Sequence, residues 1–431
     1  MIEKRLIDIS RNISSGITPL RSNDEFWANG TIPWLKTEQL GEKYIFDTNE
    51  HITEKALQEA NVKIFPENTL SIAMYGEGKT RGNVSILKRP MATNQACCNI
   101  ELDAEKVSSE YVYYFLKTQY ENLRGLSSGI RKNLNTNDIK NFVVRLPENL
   151  KTQQSIAAVL SALDKKIALN KQINTRLEEM AKTLYDYWFV QFDFPDANGK
   201  PYKSSGGEMV FDETLKRKIP KGWEVKQISH WIKTDKSGDW GKEQQEGHYT
   251  VKVNCVRGAD INAINSQGNI EAPIRFILAK NAHKLLSPFD FVVEISGGSP
   301  TQSTGRLAPI SQYVLERFDL PLICSNFCKA ISLKDTSYFY QFAFMWSDIY
   351  KNNILFGWEG KTSGIKNLLF DNFVNGYFEC FPPKEIAEKF FKIIDKNHQE
   401  QQLLLKQNHQ LTQLRDFLLP MLMNGQVSVA E

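Results

Sequence analysis

The chain has 431 residues, 41% of them hydrophobic, and a formal net charge of +3 from 53 Lys+Arg against 50 Asp+Glu. That length suffices for two or three domains with cores of their own, and no apolar run reaches the ~18–20 residues of a membrane span. The near-neutral balance sets the chain apart from strongly basic nucleic-acid binders, although local basic patches can still hold phosphates.

At the N-terminus, MIEKRLIDIS has no long apolar stretch behind its charges, which argues against a signal peptide. Cys97, Cys98, Cys255, Cys324, Cys328 and Cys380 form no C-x-x-C pair, and the six histidines do not group with them. Reduced, mostly buried thiols in a cytoplasmic protein are expected, with no structural zinc.

Residues 1–150 read as a mixed α and β domain. Segments 62–76 and 83–90 look like strands around a glycine-rich loop, Gly76 to Gly82, with Lys79, Arg81, Lys88 and Arg89 clustered about it. Within this stretch, Ala73 to Thr80 approaches the phosphate-binding loop G-x-x-x-x-G-K-[ST]. Alanine stands in place of the first glycine, and the following Arg81 to Ile86 reads as a strand, whereas that loop needs a helix whose N-terminus faces the phosphates. A strand–loop–strand hairpin with a basic tip suits backbone contact to DNA. Residues 109–123 then have helical spacing, with Ser108 or Ser109 as N-cap, and a second basic group, Arg131, Lys132 and Lys140, follows.

From Glu148 to Phe194 there is no proline, and from Ile130 to Asn198 no glycine. Ile156, Leu160, Leu163, Ile167, Leu177 and Leu184 alternate in steps of three and four, with Asn170 and Asn174 at seam positions. The spacing predicts a helix within 151–191, periodic over roughly 39 residues or ~58 Å. A second copy is predicted from Lys384 to Leu419, with Ile386, Phe390, Ile393, Leu404, Leu411, Leu414 and Leu418 on its stripe. Each stripe is longer than one domain needs to bury, so the two helices are expected to pair with each other. Between the halves, 192–221 is rich in Pro, Gly, Ser and Lys, as in a linker.

The two halves repeat. Ser128-Gly-Ile returns at Ser363, 235 positions on; Asn133 returns at Asn367, and Asn174-x-x-Leu177-x-x-Met180 at Asn408-x-x-Leu411-x-x-Leu414, both 234 positions on. Shared offsets in distant segments mark a tandem duplication of a globular unit and a helix, with a second domain at 222–382 and its helix and tail at 383–431. No catalytic set emerges. Pro195-Asp196 and Glu224-Val225-Lys226 match nuclease letters but flank the linker, and Phe381-Pro382-Pro383-Lys384 lacks the amide or acid of an amino-methyltransferase loop.

The ordered motifs Gly16-Ile17-Thr18-Pro19, Ile32-Pro33-Trp34-Leu35, Ala92-Thr93-Asn94-Gln95-Ala96 and Ser128-Gly129-Ile130 carry a family resemblance. Leu163-Asp164-x-x-Ile167-x-Leu169-Asn170, Ala181 to Phe189, and Leu414-Arg415-Asp416-x-Leu418-Leu419-Pro420 continue it. With the repeat, they make the whole chain resemble the specificity (S) subunit of type I restriction–modification enzymes. The resemblance implies an α+β fold: two similar mixed α/β DNA-recognition domains, each followed by a long helix, with the helices paired as an antiparallel coiled coil that sets the spacing. From the sequence alone the direction stays open, since a ~30-residue linker could also span a parallel pair.

The family is non-catalytic and binds no cofactor itself. It recruits two methyltransferase (M) subunits, which use S-adenosylmethionine, and motor–nuclease (R) subunits, to which ATP and Mg belong, onto double-stranded DNA with a bipartite site. A standalone DNA-binding regulator dimerising through its long helices is the alternative. Expected DNA contacts are Lys79, Arg81, Asn94, Gln95, Ser128, Arg131 and Lys132 in the first domain, and Thr301, Gln302, Ser303, Arg306, Lys361, Ser363 and Lys366 in the second. Ser325-Asn326-Phe327 is aligned with Thr93-Asn94-Gln95, which leaves Gln95 without an amide counterpart. Tyr185, Tyr187, Trp188 and Phe189, ending the first helix, are read as core or as a docking site for a methyltransferase subunit.

Overall fold

The computed structural model describes residues 1–429 except 77–79, 127–132, 267, 269, 298–300 and 363–364, with the backbone alone for 361 and 362. Two compact units emerge: Met1–Ile167 with Gln410–Glu431, and Ala168–His409. Each therefore contains a globular part and a segment of both long helices.

In the first unit, a five-stranded sheet runs in the order Ser10–Ser15, Cys97–Leu102, Leu70–Ala73, Val84–Leu87, Tyr44–Ile45. A three-stranded sheet places Ile32–Leu35 between Glu50–Ile52, antiparallel, and Ala92–Thr93, parallel. Every residue of Leu70–Ala73 is buried, Ser71 included, because both faces of this strand are covered. The helix Ser109–Thr118, capped by the Ser108 hydroxyl at the Tyr111 amide, buries Tyr111 through Leu116.

The second unit repeats the plan with substitutions. A four-stranded sheet runs Ile232–Ser237, Cys328–Leu333, Asp290–Glu294, Leu307–Ile310, and a three-stranded one runs Ile274–Leu278, Tyr249–Val256, Leu322–Cys324. As in the first unit, the last pair of that smaller sheet is parallel. A helix Phe339–Lys351 stands where the first unit has Ser109–Thr118. All six cysteines are free and buried.

Both long helices form, Leu150–Tyr185 with 36 residues and Lys384–Met423 with 40. The second runs past Pro420, beyond the predicted end at Leu419. Proline removes only the bond to the Asp416 carbonyl, and Leu422 and Met423 bury themselves in the first unit's core. Within the first unit the Arg415 guanidinium meets Asp164 at 3.1 Å. Within the second, Asn170 Nδ2 donates to Asn408 Oδ1 at 2.9 Å, Asn174 Nδ2 faces the Gln401 carbonyl at 3.5 Å, and Tyr185 packs on Phe390. Partner numbers fall along the second helix as they rise along the first, so the pair is antiparallel.

One stripe position differs from expectation in each half of the second helix. Ile393 and Leu414 are exposed, while Ile394 is buried. The 192–221 segment also differs, for it is folded. Phe192, Phe194 and Ile219 are buried with Trp223, Phe194 stacks on Tyr202 at 4.7 Å, and Met209–Asp212 pairs with Arg217–Pro220 as a hairpin.

Polar groups join each globular part to its helix segment. In the first unit Lys43 Nζ donates to Ser161 Oγ at 2.6 Å and to Tyr114 Oη at 3.0 Å, and the Tyr114 hydroxyl donates to Asp164 at 2.6 Å. The second unit uses the same device: the Tyr340 hydroxyl donates to Asp395 at 2.7 Å. One turn on, His398 lies 2.8 Å from Ser311 Oγ, beside the rings of Tyr313 and Tyr340.

Burial brings the His398 imidazole down to about 4, with Arg317 pushing the same way and Asp395 opposing. As pH falls, the unfolded chain therefore takes up this proton first. The stability that neutral His398 confers is complete above its ordinary value near 6.5 and is lost between there and about 4. The residue is half-buried, so the expected loss is roughly 1–3 kcal/mol after solvent screening. Thermal midpoints of the full chain from pH 7.5 to 4.5 check this: His398→Gln should flatten the acid decline, and parallel curves would refute it.

Candidate nucleic-acid interface

A tight turn follows the parallel strand pair in each unit, and the same backbone bonds build both turns. Asn94 N donates to the Leu35 carbonyl and Cys97 N to that of Asn94, at 2.9 and 3.2 Å. In the second unit Ser325 N donates to Val256 and Cys328 N to Ser325, both at 2.9 Å. Neighbouring chain closes the turns alike: Ile17 N donates to Thr93 and Met74 N to Ala96, just as Asp239 N donates to Cys324 and Ile295 N to Phe327. Glycine is required beside each turn. A Cβ on Gly16 would sit 2.0 Å from the Thr93 carbonyl oxygen, and one on Gly238 1.9 Å from that of Ser325.

These bonds correct the sequence alignment by one residue. Asn94 matches Ser325, Gln95 matches Asn326, and Ala96 matches Phe327. Gln95 thus has an amide counterpart after all.

Asn94 spends its side-chain oxygen locally, accepting from the Ala96 amide at 3.1 Å as a turn-forming Asx residue. Gln95 is exposed at the tip, and the Thr18 hydroxyl donates to its Oε1. Asn326 and Phe327 are exposed in the second turn, and the Phe327 ring is 56% accessible. Trp240, the positional match of Thr18, lies under the Arg275 guanidinium at 3.9 Å. Trp240, Arg257, Ser296, Asn326, Phe327 and Ile365 are among the residues lining a cavity of about 550 Å³.

The loop that ends at Arg306 is held more firmly than its polar composition implies. Arg306 makes a two-point pair with Glu294, Nε at 2.9 Å and Nη2 at 2.6 Å, which holds the guanidinium above its ordinary range. Ser303 and Thr304 are buried. The Tyr350 hydroxyl donates to the Ser303 carbonyl at 3.2 Å, and Thr304 N donates to Glu359 at 2.7 Å. Lys366 Nζ lies 3.3 Å from the same Glu359 and over the Phe356 ring. Arg306, Ser303 and Lys366 therefore shape the loop, whereas Thr301 and Gln302 are exposed.

In the first unit Arg81 is half-buried beside Gly82. Lys88 lies 3.4 Å from Glu67, and Arg89 lies 3.7 Å from Asp47. Lys79, Ser128, Arg131, Lys132 and Ser363 lie outside the described residues, as does the Lys361 side chain.

Of the four aromatics ending the first helix, three are core. Tyr185, Trp188 and Phe189 are buried around Phe390 in the second unit, and Tyr187 alone faces outward, at 36%. Among the described residues no group of His, Cys, Asp and Glu could hold a metal ion.

Comparison with known proteins agrees with this architecture. Residues 3–179 match the model of the type I restriction modification DNA specificity domain. The type I restriction enzyme MjaIX specificity subunit of Methanocaldococcus jannaschii is 29% identical, over 99% of this chain and 94% of that relative. The EcoR124I/EcoR124II specificity subunit of Escherichia coli is 24% identical over 42% of this chain and 45% of its own length. In fold, the chain is similar to the crystal structure of the type I restriction-modification S subunit from M. genitalium, with a TM-score of 0.62 and 16% identity over 98% of this chain and 95% of that one. With the matched domain, the near full-length relative and the shared fold taken together, the chain is similar over almost its whole length to type I restriction–modification specificity subunits.

Proposed function

We propose that this chain is the non-catalytic, sequence-specific DNA-recognition subunit of a type I restriction–modification complex, with recognition domains at 1–150 and 222–382. Each domain reads one half of a bipartite, asymmetric site, and the paired helices set the spacing. Methyltransferase subunits that use S-adenosylmethionine then modify adenine, and motor–nuclease subunits supplied with ATP and Mg cleave. The complex works in the cytoplasm; among the described residues no helix is long and apolar enough to cross a membrane.

The observation that carries this reading is the duplicated turn. Two copies of one backbone frame present different exposed side chains, Gln95 beside Thr18 and Asn326 beside Trp240 and Phe327. A conserved scaffold with differing tips is what reading two different half-sites requires. Thr301, Gln302, Arg81 and the basic residues Lys79, Arg131, Lys132 and Lys361 complete the proposed DNA contacts, with Ser128 and Ser363 at the repeated Ser-Gly-Ile segments.

Co-expression with the methyltransferase subunit of the same locus, followed by genome-wide mapping of methylated adenine, tests the proposal. The expected result is a split motif of which one half alone changes when residues 1–150 are exchanged for those of another specificity subunit. Specific DNA binding by the chain alone, with no partner and no bipartite methylation, would favour the standalone regulator.

A further inference from the structure

We propose that Gln95 and Asn326 are a matched pair of base readers, one in each unit, each directed at the major-groove edge of an adenine. The proposal rests on the DNA-recognition reading above and extends it to single residues.

The matching backbone bonds put the two amides at the same point of the same turn. Both side chains are exposed, while the residues anchoring the turn, Thr93 and Cys97 in one unit and Cys324 and Cys328 in the other, are buried. A stiff, buried turn fixes where each of these side chains leaves the backbone, which direct readout needs. A carboxamide offers an acceptor and a donor side by side and matches adenine N6–H and N7 in two-point fashion. No other base presents that pair of groups in that order on its major-groove edge.

The surroundings differ in a way that suits two different half-sites. In the first unit the Thr18 hydroxyl donates to Gln95 Oε1, which orients the amide and leaves the second lone pair of that oxygen for an incoming N–H. Among the described residues the Asn326 side chain has no hydrogen-bond partner. It shares its cavity with Trp240, held under Arg275, and with the exposed Phe327 ring. Aromatic faces beside a short amide favour a base edge flanked by apolar groups such as a thymine methyl.

The test uses the full chain in complex with its methyltransferase subunit. Methylation rates are measured on duplexes carrying each base at every position of the mapped motif. Gln95→Ala should lower discrimination at one adenine of one half-site by about 10- to 100-fold, the equivalent of one two-point contact, and leave the other half unchanged. Asn326→Ala should do the same in the opposite half-site. Replacing that adenine by 7-deazaadenine, which lacks the N7 acceptor, should slow the wild-type complex but not the matching variant. A merely structural role for the amides would not produce that selectivity. Uniform weakening across all bases, or an unchanged motif in both variants, would overturn the proposal. A wild-type complex that methylates no bipartite motif would instead refute the underlying functional reading, before any variant is compared.

Discussion

Phe390→Ala is expected to destabilise the second unit by about 3–5 kcal/mol, the upper range for a large core side chain. Phe390 is fully buried on the second long helix. Its ring meets Phe189 edge-on at 4.9 Å and lies within 5.8 Å of Trp188, 6.0 Å of Phe344 and 6.2 Å of Tyr185. Truncation therefore removes apolar burial and four aromatic contacts, and the four rings come from two helices that cannot both collapse into the gap. Six of the eight tryptophans (188, 223, 231, 240, 346 and 358) lie in this unit, so urea unfolding followed by tryptophan fluorescence reports on it. Tyr187→Ala, at the exposed position, should stay within about 0.5 kcal/mol of wild type. If Phe390→Ala also unfolds within 1 kcal/mol of wild type, by the same measure, the aromatic knot is not the core that its burial implies. Among those four aromatics Tyr187 alone is exposed, so we propose it as the contact with a methyltransferase subunit, and co-purification of the Tyr187→Ala chain with that subunit tests the contact separately from the fold.

The same aromatic cluster illustrates how far the sequence could be read. Helical periodicity over 150–185 and 384–419 was legible because apolar residues recur every three or four positions over many turns. Side choice within an Ile-Ile pair was not: Ile393 and Ile394 fit the stripe equally by spacing, and Ile394 is buried because the second unit's globular part packs against that flank as well. The 192–221 segment looked like a linker because composition counts its Pro, Gly, Ser and Lys residues, whereas its fold depends on a few apolar anchors. The first helix continues through a π-helical turn, Asp186–Val190, and just past it Phe192 has φ at 66°, a left-handed conformation usually left to glycine, held by burial against Trp223. No local signal marks that stop.

At the interface, residue type placed Arg306 and Lys366 among the expected contacts, beside amide and hydroxyl residues. Arg306 and Lys366 instead pair with Glu294 and Glu359, acids whose proximity is set by strand pairing and a hairpin. The one-residue shift between the two turns was likewise invisible to letter matching. It shows in which amide donates to which carbonyl, and with it Asn326 becomes the partner of Gln95. The duplication itself was legible, since Asn133 and Asn367 precede the matching bonds of Leu134 N to Met74 and Leu368 N to Ile295.

The seam of the helix pair poses the sharpest energetic question. Asn170 is fully buried and Asn174 nearly so, and Asn170 Nδ2 donates to Asn408 Oδ1 and, at 3.3 Å, to Gln407. Asn170 Oδ1 and Asn174 Oδ1 have no hydrogen-bond partner among the described residues. Two amides at a seam that leucines could fill are poor for stability and good for register, because only one alignment lets them meet. Asn170→Leu alone should cost about 1–3 kcal/mol, since it takes the Asn170 donor from a polar group in a buried seam. The double variant Asn170→Leu, Asn408→Leu should recover to within about 1 kcal/mol of wild type or exceed it, because both partners are then apolar. Urea midpoints of the four chains close a double-mutant cycle, with an expected coupling of about 1–3 kcal/mol. A double variant as weak as the single would mean that the amides stabilise the pair outright. Recovery, combined with a methylated motif whose two halves become separated by more than one spacer length, would mean that their role is to hold one register. Stability and spacing then belong to different residues of the same helices, the leucines and isoleucines supplying the first and the asparagines the second.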